Sequence, residues 1–344
     1  MFDWDLKLQT ILEQEKIAGM SVAVTDREKI IYARGFGVES VERPGVSPDE
    51  KSLYRIASIT KLMTGITLMR LVEEGKLSLD RPVKDYIPWL HLRSQEAQEQ
   101  MTLRHLMSHT SGLPVEYTPN GPREESVLEQ TLMDELAAAE FATLPADGVH
   151  LYSNLGIRLA SCMAQRVTGR LFTELCQDNA LTPLGMNSTT FDLRMAATYP
   201  ICKPHVDGED GSLQVYHYIK ENAARMAAGG LYSNTEDLCK LARYLLNGRT
   251  DAGETILRPE SLEEMFRIHA MTSPIVQSHY GLTMCIRPFK GRVLRGHTGS
   301  APPYATVLFT EPQSGYGIVA LLNTQRDKMR IGITELLFGD LLRD

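Results

Sequence analysis

The sequence predicts a mixed α/β (α+β) fold: one antiparallel sheet built from both chain termini with flanking helices, and a mainly helical domain inserted between. Three observations carry this. Short β-branched, apolar runs cluster near residues 20–34 and again near 280–322. From Ser58 to about His269 the apolar spacing is helical instead. And 344 residues exceed the roughly 250–300 at which a single core stops growing. The expected sheet domain is discontinuous, residues 1–57 and 275–344. Residues 58–274 form the expected helical domain, with a cleft at the seam between the two.

In chain order, Met20 to Val24 reads as a strand, Asp26 to Lys29 as a turn and Ile30 to Arg34 as a returning strand. Ile59, Leu62, Met63, Ile66, Met69 and Leu71 mark a helix ending near Gly75. Leu103, Leu106 and Met107 mark a short helix before Gly112. Leu155, Leu159, Met163 and Val167 mark another. Ser233 to Glu236 reads as a capping box opening a helix through Leu245, and Ser261 to Glu264 as a second box. Strands are expected at Tyr280 to Ile286, Val293 to Thr298, Ala305 to Thr310 and Gly317 to Leu322. Glu311 to Gly315 supplies the last turn, and Ile331 to Leu342 a closing helix.

Composition excludes several classes. The chain is 43% hydrophobic and 23% charged, the mixture of a folded globular protein. A net charge of −7 repels phosphate backbones, and no basic patch offsets it, so no nucleic-acid partner is expected. No run approaches the roughly 18 apolar residues of a membrane span, so no membrane partner is expected either. The start, Met1-Phe-Asp-Trp-Asp5, is acidic where a signal peptide is basic. The five cysteines are odd in number, widely spaced and without a CxxC. Both features predict a cytoplasmic protein with free, mostly buried thiols.

Three short motifs carry chemistry. In Ser58-Ile-Thr-Lys61 the hydroxyl and amine share a helix face, so the amine can take the hydroxyl proton once burial or charge lowers its pKa. Ser58 is expected at the start of its helix, where free N–H groups favour negative charge. Alone, a Ser-x-x-Lys is common enough to occur by chance. In Tyr152-Ser-Asn154 a phenol can serve as base beside a cation such as Lys61, and the Asn amide can orient the lysine and the substrate. A second copy, Tyr232-Ser-Asn234, is assigned to helix capping. In His297-Thr-Gly-Ser300, at a strand end, Gly299 admits a close backbone approach. The N–H groups of Ser300 and Ser58 could then form an oxyanion hole.

In this order and context the three motifs resemble the class C β-lactamase and penicillin-binding-protein superfamily of serine hydrolases. Tyr54-Arg-Ile-Ala-Ser-Ile-Thr-Lys61 is similar to its nucleophile segment. Leu79-Asp80 through Pro88, Leu103 through Pro114 and Ala228 through Asp237 are similar to its framework segments. The likeness spans roughly residues 10–340. It implies a β-lactamase/DD-peptidase-like fold and an acyl-enzyme on Ser58, with Lys61 and Tyr152 moving the proton. Asn154, His297, Thr298, Gly299 and Ser300 would bind substrate and oxyanion. The resemblance implies no cofactor and no metal, and a small-molecule substrate; oligomeric state stays open.

His297 departs from the pattern. β-Lactamases and DD-peptidases of this superfamily usually place a lysine there, whereas histidine resembles relatives acting on esters or D-amino-acid amides. The expected activity is therefore an esterase or D-aminopeptidase-like hydrolase. The alternatives are a β-lactamase or DD-peptidase proper, or a penicillin-binding module without turnover. A titration of His297 near pH 6–7 is expected in the rate. His105 and His109 have zinc-like spacing but lack an HExxH glutamate and a third ligand. Arg55 is expected to pair with a carboxylate of its own chain rather than hold an anionic substrate. The cleft walls are expected from loops 115–125 and 204–220.

Overall fold

The computed structural model describes residues 3–115, 124–217 and 223–343. The strands are β1 Gly19–Thr25, β2 Ile30–Gly37, β3 Tyr54–Arg55, β4 His205–Asp207, β5 Leu213–Val215 and β6 Tyr232–Ser233. They continue with β7 Ala270–Ser273, β8 Ser278–Tyr280, β9 Cys285–Phe289, β10 Arg292–Ala301, β11 Tyr304–Glu311 and β12 Tyr316–Leu322. One eight-stranded sheet runs β2-β1-β12-β11-β10-β9-β8-β7. The first and last strands of the chain meet inside it, antiparallel, with Met20 opposite Leu322 and Val24 opposite Ile318.

Side-chain alternation sends the two faces of this sheet into different surroundings. Met20, Val22, Val24, Val307, Phe309 and Ile318 pack on Leu8 and Leu12 of the Trp4–Gln14 helix and on Ile333, Leu337 and Phe338 of the Asp327–Leu341 helix. On the other face Ala23, Leu308, Val319 and Leu321 join Leu238, Leu241 and Leu245 of the Thr235–Asn247 helix. That cluster continues through Ile59, Leu62 and Ile66 of the nucleophile segment into the helical layer. Because both faces are covered, β1 is buried at every position, which explains why Met20, Val22, Ala23 and Val24 are all apolar and why Ser21 is satisfied by Asp49 O and Tyr54.

The Asp26 turn forms as expected, its carboxylate accepting from the N–H groups of Glu28 and Lys29 at 2.7 Å. Other expectations need correction. The expected strand at 280–286 is two strands, β8 and β9, interrupted at Gly281–Met284. There Thr283 takes φ +58° and its N–H donates to Met107 O at 2.7 Å, so this loop turns inward onto the helical layer. Gly65 makes room for it, since a Cβ there would meet Thr283 Oγ1 at 2.0 Å. The cap at 233–236 shifts by one residue: Asn234 accepts from Asp237 N–H at 2.8 Å, while Ser233 lies in β6 beside Thr189. The second box does not form. That helix starts at Pro259, whose missing N–H suits a first-turn position, and Ser261 lies inside it. No described helix is long and apolar enough to cross a membrane.

Candidate active site

Ser58 sits in a 3-10 turn, Ala57–Ile59, that runs into the Thr60–Glu73 helix, rather than at the helix start itself. Ala57 before it takes φ +51°, a strained conformation for a residue with a Cβ. Leu231, just before β6, and Thr306 on β11 hold this turn. Ile56 N–H donates to Leu231 O at 2.9 Å, and Thr306 Oγ1 on β11 donates to Ile56 O at 2.8 Å. β10 lies directly against it. A Cβ on Gly299 would meet Ile56 O at 2.3 Å and Thr306 Oγ1 at 2.2 Å, so only glycine allows this approach.

Tyr152 and Asn154 are positioned by the residue between them. Ser153 caps the Asn154–Thr168 helix, accepting from Gly156 N–H at 3.0 Å and donating to Pro114 O at 2.8 Å. His109 brackets the same segment. Its carbonyl accepts from Leu151 N–H at 2.7 Å, its Nδ1 accepts from Ser153 N–H at 3.1 Å, and its ring lies 4.2 Å from that of Tyr152. Tyr152 thereby aims its hydroxyl at Ser58 Oγ, donating at 2.9 Å. Lys61 Nζ lies 3.1 Å from Ser58 Oγ, 2.9 Å from Asn154 Oδ1 and 2.6 Å from Ala228 O. It also sits 4.9 Å from the centre of the Tyr152 ring.

Burial sets the protonation of these groups. Lys61 is fully buried, among the described residues no carboxylate pairs with it, and desolvation lowers its pKa to about 7. Desolvation pushes the Tyr152 phenol up, against the opposing hydrogen bond with Ser58, so the phenol stays protonated. His297 is buried, with Nε2 2.8 Å from the Tyr280 hydroxyl and Nδ1 2.5 Å from Thr298 O. A carbonyl only accepts, so Nδ1 carries the proton and Nε2 accepts from Tyr280. Burial, with the Lys61 charge, lowers the His297 pKa to about 3. The expected titration near pH 6–7 is therefore not supported at this residue.

Ser58, Lys61, Tyr152 and Asn154 come together as the motifs suggest. Thr298 and Ser300 border the cleft, and Gly299 backs the nucleophile turn. Tyr232 is elsewhere, buried on β6 with Leu53 and Ala196. The cleft has two lobes that share Ser58, Asn154 and Ser300. One, of about 660 Å³, extends past Arg55, Ala224 and Gly229. The other, of about 510 Å³, extends past Tyr152, His150, Tyr280 and Thr298. Of the loops expected as cleft walls, residues 116–123 and 218–220 lie outside the described residues.

Three supporting residues escaped the motif reading. His109 and Tyr280 hold Tyr152 and His297, and Arg330 Nη1 donates to Gly299 O at 2.6 Å. The i, i+4 spacing of His105 and His109 points to helix-end packing instead of a ligand pair. His105 Nδ1 accepts from Thr102 N–H, and His109 takes a left-handed conformation at the helix end. Among the described residues no group of three or more His, Cys, Asp or Glu is placed to hold a metal. All five cysteines are free, and burial raises the Cys176 thiol to about 12. Arg55 corrects its expectation: among the described residues no carboxylate pairs with it, and it borders the larger lobe.

A family model described as Beta-lactamase matches residues 4–337. Protein flp of Staphylococcus aureus (strain MW2) is 25% identical over 93% of the chain, which spans 63% of that relative's length. The octameric penicillin-binding protein homologue from Pyrococcus abyssi superposes with a TM-score of 0.81 at 26% identity, covering 98% of this chain and 78% of that one. The D-amino acid amidase of Ochrobactrum anthropi SV3, complexed with D-phenylalanine, superposes at 0.81 and 22% identity, covering 100% of both chains.

Proposed function

The chain belongs to the beta-lactamase family, and on that premise we propose that it is a serine hydrolase cleaving a small ester or amide through an acyl-enzyme on Ser58. The observation that carries this is the Lys61 arrangement. A neutral lysine has two N–H donors and one lone pair. With Asn154 Oδ1 and Ala228 O taking the donors, the lone pair is left for the Ser58 hydroxyl at 3.1 Å.

Ser58 Oγ then attacks the carbonyl carbon as its proton passes to Lys61. The backbone N–H groups of Ser58 and Ser300 receive the oxyanion. Tyr152, the acid nearest Ser58 Oγ, protonates the leaving group as the bond breaks and regains a proton from Lys61. The net transfer moves the serine proton to the leaving group. Water attacks by the same route in reverse and frees the acid. His297 acts by position: neutral and tied to Tyr280, it holds the start of the Thr298–Ser300 edge.

The absence of charge on His297 supports an ester or D-amino-acid amide over a β-lactam, whose carboxylate calls for a cation at that edge. The D-amino acid amidase likeness points the same way. A panel of a chromogenic cephalosporin, a short-chain nitrophenyl ester and a D-alanyl anilide ranks the readings. The ester or anilide is expected to lead in kcat/KM. Cephalosporin turnover far above both would establish a β-lactamase instead, and labelling of Ser58 without product release would establish a binding module.

A further inference from the structure

The two lobes differ in how their cations are used. In the smaller lobe Arg287 pairs with Glu335 at 2.5 Å, and Arg330 is held by Asp327 and Gly299 O. Among the described residues, the charges bordering the larger lobe are Arg55, Arg158, Arg225, Arg326 and Asp207. Asp207 is already engaged, 2.7 and 3.1 Å from the two Nη atoms of Arg326, and Arg158 is paired with Glu135. Among the described residues Arg55 has no such partner. Its Nε is buried and hydrogen-bonded to nothing. Leaving a guanidinium donor buried and unpaired is costly, and a carboxylate is the group whose two oxygens match its fork.

A second donor borders the same lobe. His205 is fully buried and accepts from Val41 N–H through Nε2 at 3.1 Å. Its proton therefore lies on Nδ1, which is buried and makes no hydrogen bond of good geometry, with the Lys203 and Asn323 backbone nearby. In a chain of net charge −7, an open guanidinium at Arg55 attracts an anionic ligand to the lobe beside Ser58.

We propose that the larger lobe is the acyl subsite and an anion subsite, with Arg55 as its specificity-determining residue, and that the acyl group it accepts carries a carboxylate. This rests on the reading of Ser58 as the nucleophile and adds the charge of the acyl group to it. The anion is assigned to the larger lobe because the cations bordering the other lobe are already engaged.

The test uses anilides whose acyl groups differ only in carboxylate against carboxamide: glutaryl against 4-carbamoylbutanoyl, and D-glutamyl against D-glutaminyl. The carboxylate member of at least one pair is expected to lead by about ten-fold or more in kcat/KM. In Arg55→Met that ratio falls to near one, and Arg55→Lys keeps part of it. The ratio is taken within each variant, so a general loss of folded enzyme cancels. Equal turnover of both members overturns the subsite and leaves the hydrolase reading intact. A second measurement needs no turnover. Calorimetry on the Ser58→Ala protein is expected to show 4-carbamoylbutanoate binding at least about ten-fold tighter than glutaramide, with the difference lost when Arg55→Met is added. If wild type cleaves none of the four anilides and no nitrophenyl ester, the hydrolase reading fails and this binding difference still decides the subsite. Equal binding, or none, overturns it.

Discussion

A lysine kept from water resists carrying its charge, and Lys61 shows what that means for chemistry and for stability. Its pKa falls from 10.5 to about 7, so the neutral base required by the mechanism dominates only above that value. We expect kcat/KM to fall about ten-fold per pH unit below pH 7 and to level off above it, read from a pH–rate profile. The same shift has a sign in folding. Between about pH 7 and 10.5 the unfolded chain holds a proton that the folded one lacks, so stability rises with pH across that window. The full difference is about 5 kcal/mol, present as a penalty at and below pH 7. Urea unfolding of wild type and Lys61→Met should diverge across this window, and parallel pH dependences would contradict a buried neutral lysine. The two tyrosines offer a second check. Tyr152→Phe should lower kcat by about 10²–10⁴-fold, whereas Tyr232→Phe, far from Ser58, should chiefly change the melting temperature. The capping role expected of Ser233 and Asn234 separated these tyrosines in the sequence, and Asn234 does cap its helix. Neither the His297 tautomer nor the open Arg55 was legible, since both depend on what distant strands bring alongside.

Elements set these residues within reach of one another. β10 can press on the nucleophile turn only because Gly299 has no side chain, and the turn stays put because Thr306 on β11 holds Ile56 O. Gly299→Ala is expected to push β10 away from Ser58 and to cost about 1–3 kcal/mol of stability. The displacement should lower kcat by about 10²-fold through misplaced groups, which steady-state kinetics with a nitrophenyl ester would register. Unchanged kcat would mean that β10 does not position the site. The alternation of apolar residues made the strands of the sheet legible, and helical spacing did the same for the segment after Ser58. Local exceptions were not. The left-handed Ala57 and the inward loop at Gly281–Met284 are held by contacts with Leu231, Thr306 and Met107, far away in sequence. The shifted cap at Asn234 has the same origin, because β6 pairs with β3 and draws Ser233 into a strand.

For the whole molecule, the sheet draws on both chain ends, and β1 lies directly against β12. We propose that the boundaries near residues 57 and 275 mark topology rather than separate stability. One core runs from the sheet face through the Thr235–Asn247 helix and the nucleophile helix into the helical layer. The two tryptophans report on its ends. Trp4 packs at the sheet, bonded to Asp340 at 3.1 Å, and Trp89 packs on the helical cluster. Fluorescence unfolding of Trp4→Phe and of Trp89→Phe, each corrected for its own effect on stability by circular dichroism, should follow the global transition. Separate midpoints for either reporter would show two units. This arrangement puts Ser58 at the join of the two lobes, and the join is where the account is most exposed. The most direct test is the intact mass of the protein during turnover of a nitrophenyl ester. A gain of one acyl group is expected, located on the peptide containing Ser58 and absent in Ser58→Ala. A Ser58→Ala protein that still turns over the ester at the wild-type rate, or acquires the acyl group elsewhere, would contradict it.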